Sequence, residues 1–87
     1  MERANLYLIL KAELLNIAPE ASLDDVDGNA DLREELDLDS LDFLHLIIAI
    51  GKRIGVEIPE ADYGRIHSLD ALLDYLESSE ALARKRS

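Results

Sequence analysis

Glu34-Glu35-Leu36-Asp37-Leu38-Asp39-Ser40-Leu41-Asp42-Phe43-Leu44 sets one hydroxyl, that of Ser40, in a run of carboxylates. An apolar pattern starts behind it and holds to Ile54, which predicts a helix from about Ser40 to Ile54. Asp39 suits the N-cap, where a carboxylate accepts a hydrogen bond from a free backbone N–H of the first turn. Asp42, three residues on, stands at the capping-box position. With Asp39 capping, the Ser40 hydroxyl is left at the first helical position, facing solvent. A group attached there meets unsatisfied N–H donors and the positive end of the helix dipole, a setting that suits a phosphate. Asp39-Ser40-Leu41 alone recurs by chance, but Leu36, Leu38, Leu41 and Leu44 alternating with Asp37, Asp39 and Asp42 add to it.

The flanks read as helices too. From Ala4 to Asn16, Leu6, Leu10 and Leu14 fall together with Ile17 on a 3.6-residue wheel, Tyr7 and Ile9 flank them, and Pro19 stops the helix. Leu8, Ala12 and Leu15 form a second ridge, expected to lie under the loop that comes next; a partner or dimer contact is the alternative. Pro19 to Asp39 is too long a connection to be bare in a compact domain. Ser22-Leu23-Asp24-Asp25 can cap a short turn, and Leu23, Val26, Leu32 and Leu36 can fold the loop onto the core. Asp25, Asp27, Gly28 and Glu34 invite a calcium-loop reading, which fails twice. It puts Leu23, without a side-chain oxygen, at the first ligand position, and Ala30 where the apolar anchor belongs. No metal site is expected.

On the Ser40–Ile54 helix, Leu44, Ile47, Ile48, Gly51 and Ile54 share one face; Asp42, His45, Ala49, Lys52 and Arg53 share the other. Gly55 is a natural end. Val56-Glu57-Ile58-Pro59 is extended, because the residue before proline is pushed from the helical region. Glu60 to Ile66 is at most a short helix. Ser68 caps a last helix carrying Leu69, Leu72, Leu73 and Leu76, expected to fray after Ser78, with the basic tail either extending it or staying disordered. The fold class is all-α: four helices with a long first loop and a short third helix.

Eighty-seven residues make one domain, taken as 1–80 with a basic C-terminal tail at 81–87. There is no cysteine, so any thiol chemistry must come from a prosthetic group. Nine basic residues against nineteen acidic give a net charge of -10, which argues against nucleic acid and favours basic partners. Between Asp24 and Asp42 stand nine acids and one base, Arg33; the bland reading of such a run is a solvated face. Nothing reads as a signal peptide or a membrane span, so a cytoplasmic location is the expectation; the chain is also expected to be a monomer.

The motif, its leucine–acid flanks, the Gly55–Glu60 segment and the Ser68-led helix resemble the acyl carrier proteins, over roughly Leu6 to Leu76. The resemblance implies a four-helix bundle with no catalytic residue. In the family the serine of Asp-Ser-Leu bears 4'-phosphopantetheine, moved from coenzyme A by a phosphopantetheinyl transferase; Ser40 matches it, with Asp39 and Leu41 in place. The arm's thiol carries acyl cargo as a thioester. Family positions lining an acyl-chain cleft match Leu44, Ile48, Ile58, Ile66 and Leu72, and Tyr63 falls where many members have a small residue, which narrows the cleft or gives it a polar group. Asp39, Leu41 and Asp42 match the surface that partners read. His45, Lys52 and Arg53 depart from the acidic pattern of that helix, and Gly51 takes a usually acidic position. The departure points to a specialised fatty acid, polyketide or lipid pathway, with a ketosynthase, acyltransferase or ligase as partner.

Three other readings stay open. Peptidyl and D-alanyl carriers share the fold and the serine, though glycines usually precede the serine in peptidyl carriers, where Asp37-Leu38-Asp39 stands here. A serine hydrolase requires a histidine base held by an acid; His45 sits about 140° around the helix from Ser40, and His67 serves only if the fold brings it near. A helical interaction module without a prosthetic group fits the charge and the amphipathic helices equally well.

Overall fold

The computed structural model describes residues 2–86, with side chains for 2–80. Met1, Ser87 and the side chains of the expected basic tail lie outside the described residues. Helix α1 spans Arg3–Ile17 and buries Leu6, Leu10 and Leu14, one contact per turn. The Ala18 N–H closes the last turn on the Leu14 carbonyl. This stripe packs on α3 (Ser40–Ile54) and α4 (Leu69–Arg86), and burial of such leucines contributes about 1.5–3 kcal/mol each before the opposing loss of entropy.

The long connection is organised. A 3-10 turn at Leu23–Asp25 drives Leu23 into the core. A one-turn helix, α2 (Leu32–Glu35), comes next, capped by the Asp31 carboxylate on the Arg33 N–H at 2.9 Å. The loop is also tied to the start of α4. The Leu32 N–H donates to the His67 carbonyl at 2.7 Å, and the Asp70 N–H to the Gly28 carbonyl at 3.1 Å. Asp31 and Ser68 form the isolated bridge between these segments, and no strand forms among the described residues.

Asp39 caps α3 as expected, and Gly55 ends it at φ 74°, in the left-handed region. The buried arc of α3 is turned from the expected one: Phe43, Leu46, Ile47 and Ile50 are buried, while Leu44 is half-buried and Ile48 is 42% exposed. Apolar residues cover more than half of this helix, and the side facing α1 and α4 decides which of them the core takes. The short third helix is a 3-10 segment, Glu60–Arg65, with no buried residue. Ser68 caps α4 through its Oγ on the Ala71 N–H at 3.1 Å, and Leu69, Leu72, Leu73 and Leu76 are buried. The helix does not end near Ser78 but runs on to Arg86.

The loop does not cover the Leu8 ridge; Leu8 is 61% and Leu15 52% exposed. It crosses α1 one face over. There the Tyr7 hydroxyl donates to the Asp24 carboxylate, and Lys11 Nζ reaches the same group at 2.7 Å. The hydrogen bond to Asp24 and partial burial push the Tyr7 phenol up to about 12. Lys11 and Tyr7 hold the Asp24 carboxyl below its usual range.

A phenol raised in the folded state stabilises fully below its unfolded value, near 10, and loses that contribution as pH rises toward about 12. Asp24 acts oppositely, stabilising above its unfolded value and losing that on acidification. Alkaline urea denaturation should therefore show a midpoint that falls across that upper window. Tyr7→Phe should be less stable at neutral pH and fall less steeply there. Equal alkaline slopes for the two proteins would show that the Tyr7–Asp24 contact does not hold the loop.

Candidate functional site

The loop before Ser40 is set by the end of α2. The Leu38 N–H donates to the Arg33 carbonyl at 2.8 Å and the Asp37 N–H to the Glu34 carbonyl at 3.4 Å, the paired bonds of a Schellman end. Asp37 takes the left-handed position at φ 54°, the one non-glycine with positive φ among the described residues. Leu38 then drops into the core, and Asp39 arrives at the N-cap of α3. Its carboxylate accepts the Asp42 N–H at 2.7 Å. The exposed Ser40 hydroxyl is left with no side-chain partner among the described residues.

Ser40 opens on a groove of about 490 Å³. Phe43, Leu44 and Tyr63 supply its apolar surface, and Asp31, Arg33, Glu60 and His67 its charged and polar rim. The Arg33 guanidinium lies 5.8 Å from the centre of the Phe43 ring, within cation–π range. A second groove of about 440 Å³ runs toward the far end of α3, walled by Ile47, Ile48, Gly51, Val56, Ile58 and Tyr63, with Lys52 and Glu57 at its edge.

These grooves gather Ser40, Leu44, Ile48, Ile58 and Tyr63. Ile66 and Leu72 line neither; both are fully buried core residues. Asp39, Leu41 and His45 are exposed around the start of α3, Asp42 is half-buried, and Lys52 is exposed farther along. Gly51 is buried, on the apolar face where the pattern places it. A Cβ there would meet the Val56 carbonyl oxygen at 2.6 Å, so glycine lets the extended segment cross close to α3. Arg53 is drawn to Glu13 at 3.1 Å. Among the six basic side chains described, Lys52 alone makes no ion pair.

His67 shares the groove with Ser40, but its Nδ1 lies 3.2 Å from the Gly64 carbonyl oxygen. No carboxylate orients the ring, and neither histidine hydrogen-bonds to Ser40 among the described residues. The relay a hydrolase requires is not assembled. The groove's use of Arg33, Phe43, Glu60 and His67 escaped sequence reasoning. Arg33 carried the one available signal, as the lone base in the acidic run. The described residues also hold no group of three or more acids or histidines placed to share a metal ion.

A free hydroxyl at a helix start, beside a groove part charged and part apolar, fits a phosphate-linked chain with an acyl end. The family described as the phosphopantetheine attachment site matches residues 9–76. The acyl carrier protein of Campylobacter hominis is 32% identical over 66 residues, covering 76% of this chain and 78% of that protein. That of Thermosynechococcus vestitus is 33% identical over 70 residues, covering 80% and 82%. A mitochondrial acyl carrier protein of Neurospora crassa is 38% identical over 47 residues, 54% of this chain and 35% of that one. The chain belongs to the acyl carrier protein family. It is a carrier, not a catalyst, and works with a phosphopantetheinyl transferase and biosynthetic enzymes. Covalently bound 4'-phosphopantetheine supplies the thiol on which acyl groups are held as thioesters. No helix among the described residues is long and apolar enough to cross a membrane.

The left-handed conformation at Asp37 is one that glycine adopts freely and an L-residue at about 1–2 kcal/mol, less for Asp. Asp37→Gly should raise stability by a few tenths to about 1 kcal/mol, after the extra entropy of glycine in the unfolded chain is offset. Asp37→Asn removes the charge and keeps a residue that tolerates this conformation. Urea midpoints at low and moderate salt check both. An Asn gain as large as the Gly gain at low salt would make charge repulsion, not backbone strain, the cost at this position.

Proposed function

We propose that Ser40 is the attachment point and that this carrier serves a specialised fatty acid, polyketide or lipid pathway in the cytoplasm. The observation that carries the first part is the Asp39 cap. Because Asp39 takes the Asp42 N–H at 2.7 Å, Ser40 Oγ is uncommitted and exposed. In the transfer, the Ser40 O–H bond breaks and an Oγ–phosphorus bond forms. The pyrophosphate bond of coenzyme A breaks, adenosine 3',5'-bisphosphate leaves, and a base of the transferase takes the proton. Asp39 holds the first turn in place, Leu41 offers an apolar contact beside the oxygen at 58% exposure, and Asp42 adds charge.

Incubation with coenzyme A, magnesium and a broad-specificity phosphopantetheinyl transferase should add one phosphopantetheine mass, located on Ser40 by peptide mapping. Ser40→Ala should take up none. Addition elsewhere, or no addition with several transferases, would remove the basis for this assignment.

The second part rests on α3. His45 and the unpaired Lys52 sit on the exposed side, where a partner reading acidic charge meets the wrong sign at Lys52. Partners here are a ketosynthase, an acyltransferase or a ligase that accepts this pattern. Asp39, Leu41 and Asp42 lie near Ser40 and suit a general transferase. An aminoacyl or peptidyl cargo is the second reading, supported by the charged rim of the Ser40 groove.

Charge reversal tests the discriminator. Lys52→Glu should improve service to a ketosynthase of primary fatty acid synthesis several-fold at low salt and less at moderate salt, because complementary charge acts chiefly on the association rate. Attachment at Ser40 should be unchanged. A glutamate at position 51 is unsuited, since its Cβ would strike the Val56 backbone. Efficient wild-type service, or no gain at low salt, would move partner choice away from Lys52.

A further inference from the structure

The two grooves beside α3 differ in character and meet at one side chain. The groove at Ser40 is rimmed by Asp31, Arg33, Glu60 and His67. The far groove is mostly aliphatic, with Ile47, Ile48, Val56 and Ile58 on its walls. Tyr63 is the one residue that lines both. Leu44 and Gly51, one on each groove, lie about 10 Å apart along the axis of α3, so the grooves follow one another along the helix with Tyr63 on the wall of both.

The segment that bears Tyr63 is lightly held. Glu60–Arg65 has no buried residue, and a Cβ at Gly64 would meet nothing within 4 Å. Among the described side chains one bond, Tyr75 Oη to Asp62 Oδ2 at 2.6 Å, ties it to α4. The aromatic ring is half-buried against the core, while its own segment contributes little packing behind it. The ring is large enough to divide the space, and it packs on the edge of the core without being one of its buried residues.

We propose that Tyr63 is the specificity-determining residue for cargo. Its ring partitions the cleft, so that short or oxygen-bearing acyl groups are sheltered in the polar groove at Ser40 and long saturated chains are kept from the apolar groove beyond. The proposal rests on attachment at Ser40. Its action is steric: the ring, not the phenolic hydroxyl, blocks the way. The charged rim suits oxygenated cargo, since the Arg33 guanidinium offers donors that a saturated chain would leave unused.

The test loads acetyl and octanoyl groups from their coenzyme A thioesters with a broad-specificity transferase onto wild type, Tyr63→Phe and Tyr63→Ala. Intact mass first establishes one adduct at Ser40. Its absence in wild type would overturn the attachment reading and this proposal with it, an outcome distinct from any failure of the partition itself. Methyl NMR of Leu44, Ile48 and Ile58 then reports where the cargo lies, and hydroxylamine cleavage reports its shelter. In wild type and Tyr63→Phe, octanoyl should move Leu44 signals but leave Ile58 where acetyl leaves it, and octanoyl should be cleaved faster than acetyl. In Tyr63→Ala, octanoyl should move Ile58 and cleavage should slow several-fold. Movement of Ile58 by octanoyl in wild type would overturn the proposal, as would a folded Tyr63→Ala that behaves like wild type. Should Tyr63→Ala not fold, wild type against Tyr63→Phe still decides, because an Ile58 shift in either refutes the partition.

Discussion

The Asp39 carboxylate on the Asp42 N–H fixes where α3 begins, and with it the place of Ser40. A serine is itself a good N-cap, and a Ser40 that capped would bend its hydroxyl back onto the backbone. Asp39 removes that option by occupying the cap one residue earlier. The Schellman end of α2 then matters because it delivers Asp39 at the right angle, with Leu38 anchored in the core between the two helices. Three residues thus give up their conformational freedom to present one exposed oxygen.

The groove beside that oxygen depends on contacts far off in sequence. The long loop is pinned to the start of α4 at the Gly28–Asp70 and Leu32–His67 bonds. That brings Arg33 and His67 to the same rim, although thirty-odd residues separate them. Gly51 works in the same way at the other end of α3. Without a Cβ it admits the Val56 backbone, and Ile58 is brought alongside Ile48 to wall the second groove. Both grooves are therefore consequences of backbone packing, on which the side chains then impose their chemistry.

The bounds of α3 were legible from the sequence because a cap and a left-handed glycine mark them, Asp39 and Gly55. The leucine stripes of α1 and α4 were legible for the same periodic reason. The rotation of α3 was not. Leu41, Phe43, Leu44, Leu46, Ile47, Ile48 and Ile50 leave no polar arc sharp enough to orient the helix, so periodicity alone places Ile48 in a core that excludes it. Four residues of α2 are too few for a period to show, and the end of α4 carries charge without an apolar repeat. The exposure of the Leu8 ridge was not legible, because the loop follows Asp24 onto Tyr7 and Lys11 instead, and that pairing is a tertiary event.

Charge placement connects the fold to its partners. Five of the six described basic side chains are engaged by acids: Arg3 bridges Asp74 and Glu77, Lys11 holds Asp24, Arg53 holds Glu13, and Arg33 and Arg65 sit beside Asp31 and Asp62. These pairs are exposed and individually worth little. The pairs of Arg3, Lys11 and Arg53 link α1 to α4, the loop and α3, and the acids around Ser40 are left largely unneutralised. Asp37, Asp39 and Asp42 then present negative charge to anything that approaches the hydroxyl, and a basic partner is steered to it. Lys52 stands at the other end of the same helix with no acid of its own. The sign of the surface thus changes along α3, and an enzyme that touches only the Ser40 end meets a different protein from one that spans the whole helix.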